Sequence, residues 1–408
     1  AEPINYDLFP NNYTSYRNII TSVENESHFL SFETPNKIPT WLKGEAFHAG
    51  PGKFEWGSET YNNLIDGSTM VQKFTIDASK TEGKQIKYER KFLETMAYLA
   101  NKEANKIVYS EVGTYGEPDD LLDGLKPWNK KEIGQRRLEY FAINQTDNTD
   151  VKMHYIDGDL WSFSEYPAIN VIDKMNFKIK KRIDIRDFQP ENDKNLLITT
   201  QTAHGFVDGN NDFYNSVTGF ELAKDRIFAP VYYVYRLKDV GTKDNLVEKE
   251  NQKTEPENEE EAQNRLNKIF ENIEWSEKIE IPARPGQAGY YHDPAHTENY
   301  FIMPFQSIEV DILRAPIEIA NARPIGENGM SVNPERDGIF VVVSKKTMKE
   351  VGRFRLPYFI SGHTINAFES EDGTKIHYDC FRTFKNFFDL STINLNSFGI
   401  NEIFGFFI

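Results

Sequence analysis

Short apolar or alternating runs recur along this chain from Ile38 onward, each broken within a few residues by Gly, Asp, Asn or Pro. Such runs, rich in β-branched and aromatic residues and bounded by turn formers, read as strands. They predict strands at 71–76, 86–92, 106–111, 151–156, 160–164, 196–200, 227–235, 300–304, 338–344 and 375–379. The runs at 151–156 and 160–164 meet at Asp157-Gly158-Asp159, a hairpin signal. A further alternating strand covers 364–368. Residues 1–37 are polar and irregular and are expected to form an arm on the surface. No clean sequence period emerges, so any repeated sheets have diverged.

Two stretches break this pattern. Residues 242–261 are rich in Glu, Lys, Asn and Gln and carry no aromatic residue, the composition of a flexible, acidic, solvated insertion. A helical pattern follows, with Ala262, Leu266, Ile269, Phe270 and Ile273 on one face. After Cys380, residues Phe381, Phe384, Phe387 and Phe388 fit one side of a short helix, and 403–408 form an almost wholly apolar tail. Such a tail has to pack on something, or be the stump of a longer protein.

Composition narrows the class. The chain has 408 residues, 30 Phe and 20 Tyr, which suits a large all-β protein folded as one domain over 1–408. Its net charge of -16, with no basic patch, argues against nucleic-acid partners. No run is long and apolar enough to span a bilayer. The single cysteine, Cys380, excludes an internal disulfide and a cysteine-based zinc site, and favours a reducing, cytoplasmic setting. The sequons at Asn12, Asn25 and Asn144 are as many as chance supplies in a polar chain of this length.

Candidate chemistry lies in three histidine stretches, each beside a strand-like run. They are Thr202-Ala203-His204-Gly205, His292-Asp293-Pro294-Ala295-His296 and Gly362-His363-Thr364. Neutral imidazole is the commonest protein ligand for a first-row transition metal. Ligands this far apart meet only where a fold gathers several strand ends, as a radial β architecture does. Pro294 argues against a helical chelating pair at His292 and His296. His292 is therefore the expected ligand, and His296 a hydrogen-bonding wall residue. His28, His48, His154 and His377 lack a comparable setting.

The same residues carry a family resemblance. Ile38-Pro39-Thr40-Trp41-Leu42-Lys43-Gly44, Gly50-Pro51-Gly52-Lys53-Phe54, Leu64-Ile65-Asp66-Gly67, Gln72-Lys73-Phe74 and Glu111-Val112-Gly113-Thr114 precede the histidine stretches in order. Thr297-Glu298-Asn299-Tyr300 and Ile365-Asn366-Ala367-Phe368-Glu369 flank them. The ordered set resembles the carotenoid cleavage oxygenases, which include the animal retinoid isomerohydrolases. That resemblance implies a seven-bladed β-propeller with non-haem Fe(2+) on its axis, held by four histidines backed by carboxylates. By motif, His204, His292 and His363 match the first three ligands, and Glu165 the glutamate behind them. The fourth histidine of the family lies near its C-terminus, before a glycine. Nothing after His363 fits it, so the propeller is expected to be incomplete at the C-terminus, or the ligand lost.

The implied activity is dioxygenase cleavage of a carotenoid or apocarotenoid double bond with O2, giving two carbonyl products in an apolar tunnel. Alternatives are a retinoid isomerohydrolase-like enzyme, using the iron as a Lewis acid, and a carotenoid- or retinoid-binding protein without turnover. Animal relatives often carry a cysteine-containing stretch near Glu117-Pro118-Asp119-Asp120; no cysteine stands there here, which excludes acyl anchoring at that point. Leu121, Leu122, Leu125 and Trp128 are candidates for an apolar entrance patch in peripheral contact with membrane, or for ordinary core packing.

Overall fold

The computed structural model describes residues 21–32, 38–81, 84–114, 116, 146–190, 193, 195–222, 227–240, 259–284, 286–312 and 329–382. The expectations for the stretch around Leu121–Trp128, for 242–258 and for Phe384 onward lie outside these residues.

Antiparallel sheets follow one another along the chain. The first runs Ser27–Phe32, Ile86–Phe92, Ser68–Asp77, Lys43–Lys53 in spatial order. The second runs Ile179–Asp184, Ala168–Ile172, Asp159–Phe163, Lys152–Ile156. In the third, Leu196–Gln201 pairs with Phe213–Leu222, then Ile227–Leu237, then Glu274–Trp275. A small sheet of Gln287–Gly289, Ile308–Asp311 and Met330–Val332 interleaves with a larger one of Ala295–His296, Tyr300–Phe305, Gly338–Ser344 and Lys349–Leu356. Ser361–Glu369 and Ile376–Arg382 form the last pair.

Side-chain alternation explains how these sheets stack. In Ile227–Leu237 the odd residues Val231, Tyr233, Tyr235 and Leu237 enter a core shared with Trp161, Phe163, Ile169 and Val171 of the second sheet. The even residues Tyr232 and Val234 enter another core, with Phe301, Met303, Phe305, Val341 and Val343. Successive strand residues point to opposite faces, so this sheet is buried on both. The neighbouring sheets repeat the device. Leu160 and Ile172 turn away from Trp161 and Val171, to pack with Val71 and Phe47 of the first sheet. Ile302 and Val342 turn away from Phe301 and Val341, toward Tyr378 of the last pair. The four larger sheets and the last pair thus lie face to face in chain order.

The helix Glu259–Glu271 covers the first of these cores. Leu266 and Phe270 are buried in it, Ile269 and Ile273 lie against it, and Phe270 stacks on Trp161 at 5.6 Å. The expected apolar helical face is therefore the buried one. The hairpin joining Lys152–Ile156 to Asp159–Phe163 also forms as expected, with Asp157 and Gly158 at positive φ of 47° and 87°.

Other expectations are corrected. Residues 106–111 form no strand: Glu111 turns back on Thr114 through its backbone N–H, and its buried carboxyl accepts from the Thr146 hydroxyl. The N-terminal arm is not wholly irregular, since Ser27–Phe32 adds an edge strand to the first sheet. Lys43–Lys53 and Lys349–Leu356 escape the hydrophobic pattern because both lie at sheet edges, where Gly, Pro and charged residues are tolerated.

Candidate metal centre

The three histidine stretches come from successive sheets. His204 follows Leu196–Gln201, the first strand of its sheet, by three residues. His292 precedes Ala295–His296, and His363 is the third residue of Ser361–Glu369. Each side chain is thus delivered by the leading strand of a sheet, and the face-to-face stacking brings the three to one point. One ring nitrogen from each of His204, His292 and His363 lies within 4.8 Å of the others. Ring centroids are 4.4 Å apart for His204 and His292, 5.0 Å for His204 and His363, and 5.1 Å for His292 and His363.

A second layer orients them. Glu165 Oε1 lies 2.6 Å from His292 Nδ1, and the Tyr290 hydroxyl donates to the same oxygen at 2.9 Å. With Nδ1–H given to the carboxylate, the Nε2 lone pair of His292 points at the shared centre. The Thr202 hydroxyl donates to the His292 carbonyl at 2.7 Å and accepts from the His204 N–H at 3.1 Å, tying two of the loops together. Asn215, wholly buried, donates to the Thr202 carbonyl at 3.0 Å. Asp293 accepts from the Thr364 N–H at 3.0 Å and fixes the backbone beside His363. Glu165 was named by the resemblance; the other partners depend on cross-sheet register, which sequence spacing does not display, and among them only Tyr290, two residues before His292, carried a local hint.

Loss of solvent holds the His204 and His363 imidazoles neutral. It pushes His204 far below its ordinary value, with His292 and Lys152 adding to the effect. His363, exposed on one side, falls from 6.5 to about 4 through partial desolvation of its ring, then His292 and Lys152. Neutral imidazole is the form that binds metals. His204 Nε2 and His292 Nε2 stand 2.9 Å apart. Two nitrogens at about 2.1 Å from one ion and at right angles lie about 3.0 Å from each other. The donor set therefore fits a transition-metal ion, which His204, His292 and His363 would hold.

His296 stays outside the cluster. Its ring stacks on Phe206 at 3.7 Å and 12° and hydrogen-bonds the Thr297 backbone, which makes it a wall residue. His154 is a core residue between Phe163 and Phe213, and His377 stacks on Phe368.

Comparison with known proteins extends the picture. Residues 21–400 match the model of a family described as retinal pigment epithelial membrane protein. The human "Carotenoid-cleaving dioxygenase, mitochondrial" is 26% identical over 363 residues, 86% of this chain and 53% of that protein. The chicken "Beta,beta-carotene 15,15'-dioxygenase" is 28% identical over 352 residues, 84% of this chain and 57% of that protein. The chain thus spans about half the length of the curated relatives it matches. Among solved structures, cobalt-substituted Synechocystis apocarotenoid oxygenase superposes with a TM-score of 0.63 at 16% identity, covering 91% of this chain and 64% of that one. That likeness establishes the fold. The match over 21–400 settles the family: this chain belongs to the retinal pigment epithelial membrane protein family of carotenoid oxygenases.

Proposed function

We propose that this chain carries the metal centre of an iron(II) dioxygenase that cleaves a double bond of a carotenoid or apocarotenoid. The fold is read as a seven-bladed propeller forming one domain over 1–408, with the centre on its axis. The supporting observation is the convergence of His204, His292 and His363, with Glu165 behind His292. These three imidazoles would hold Fe(2+). A bound ferrous ion supplies the unpaired electrons that let triplet O2 react with a closed-shell polyene.

The protein's own groups set the stage for that chemistry. Glu165 and Tyr290 fix the tautomer of His292 and keep its lone pair on the centre. Thr202 and Asp293 hold the loops at a common spacing, so little reorganisation is needed when an ion binds. His296, held flat by stacking on the buried Phe206, offers an aromatic face suited to a conjugated chain. Each oxygen atom of one O2 ends on one of the two carbonyl products, so the reaction balances without a further reductant. The relatives named for carotenoid cleavage support this substrate class.

The test is anaerobic loading with Fe(2+), followed by an apocarotenoid and 18O2. The reading expects two carbonyl products, each carrying one labelled oxygen. Iron-loaded protein that returns the polyene intact would favour binding without turnover. Release of an alcohol from a retinyl ester, with no label taken up from O2, would favour the isomerohydrolase alternative.

A further inference from the structure

Lys152 opens the strand Lys152–Ile156 and stands opposite Phe163, two residues before Glu165. Its side chain is half-buried, and its charge acts on His204, His363, His154 and His296. Cross-strand partners share a face, so it lies on the side of the sheet from which Glu165 reaches His292, though neither the histidine motifs nor the proposed chemistry makes use of it. Among the described residues its ammonium has no hydrogen-bond or ion-pair partner within bonding distance.

The carboxylates nearby are already engaged. Glu165 accepts from Tyr290 and lies against His292 Nδ1. Asp293, beside His292, accepts the Thr364 N–H at 3.0 Å. Burial in turn lowers the pKa of Lys152. A half-buried ammonium with no bonded anion is a costly arrangement, and it is relieved when a ligand brings the missing charge. A cation bound by the three imidazoles would add to the positive excess.

We propose that Lys152 receives a carboxylate borne by the polyene substrate, and so selects acid-ended polyenes over hydrocarbon ones. This rests on the reading that the site takes a polyene. A hydrocarbon end gains nothing at Lys152 and strips water from the ammonium. A hydroxyl offers one neutral acceptor. A carboxylate makes a charge-assisted hydrogen bond, about twice as strong as a neutral one.

The experiment compares two probes that share one polyene and differ at its end, all-trans-retinoate and all-trans-retinol. Their binding to the full chain is followed by quenching of tryptophan fluorescence, in wild type, Lys152→Met and Lys152→Arg. In Lys152→Met the dissociation constant for retinoate should rise about tenfold or more, the loss expected for a hydrogen bond to a charged group. The constant for retinol should stay within about twofold. Lys152→Arg should recover most of the retinoate affinity, and retinol binding shows in each variant that the site is folded. Equal retinoate affinity in wild type and Lys152→Met overturns the role of Lys152 while leaving the polyene reading in place. Failure of wild type to bind either probe overturns the polyene reading itself, and this inference with it.

Discussion

At the scale of single residues, the candidate metal centre depends on how His292 is held. Its Nδ1 lies 2.6 Å from Glu165, which also accepts from Tyr290. Replacing Glu165 with Gln keeps the shape but removes the charge that favours one tautomer. The dissociation constant for Fe(2+) should rise by roughly tenfold, as for other groups behind metal-bound histidines. Anaerobic titration of the two proteins checks this; an unchanged constant would make Glu165 a bystander. Tyr290→Phe should move the constant in the same direction by less, since the carboxylate loses one donor and keeps its charge. His296 provides the control from the same sequence stretch. Stacked on Phe206 and outside the cluster, it should be replaceable by Ala with iron retained, whereas His292→Ala should release the metal. Equal loss from both would reverse the ligand assignment.

At the scale of elements, the hairpin at Asp157 and Gly158 gives the cleanest energetic test. Gly158 has φ of +87°, and no atom lies within 4 Å of where its Cβ would stand. A side chain there meets only backbone strain, so Gly158→Ala should cost about 1–2 kcal/mol. The urea midpoint should fall without a change in slope. Phe270→Ala, in contrast, empties a position stacked on Trp161 in the core and should cost about 3–5 kcal/mol. These two elements were legible in the sequence, because a turn signal and a helical apolar face are local patterns. Lys43–Lys53 and Lys349–Leu356 were not, because pairing on one side sustains an edge strand whatever its hydrophobicity. Phe213–Leu222 was hidden for another reason. Its interior Asn215 and Ser216 are buried polar residues, and Asn215 supports the Thr202 loop, which breaks the expected alternation. The site divides along the same line. The three histidines announce themselves by local setting and by the family's ordered motifs. Thr202, Asp293 and Lys152 gain meaning only once sheets are stacked.

At the scale of the whole molecule, buried ionisable groups make stability depend on pH in two opposed ways. Burial, reinforced by Lys152, lowers His154 from 6.5 to about 4. Unfolded chain binds the proton first, so the stability His154 contributes is whole above pH 6.5 and is lost as pH falls toward 4. Glu111 and Asp150 are shifted upward, by burial first and then by Asp66. For these acids the folded state holds the proton longer, so stability declines as pH rises through and above the ordinary carboxylate range. Glu111→Gln mimics the protonated form. It should raise the thermal midpoint at pH 8, with a gain that shrinks toward pH 5; a lower midpoint at both values would contradict the shift. The metal centre depends on the same stacking of sheets that buries these groups. Its most direct test is anaerobic titration with Fe(2+) of wild type and of His204→Ala, His292→Ala and His363→Ala. Wild type should saturate near one iron per chain, with at least tenfold weaker binding in each variant. Iron bound with wild-type affinity after any one of the three replacements would contradict a centre shared by those imidazoles.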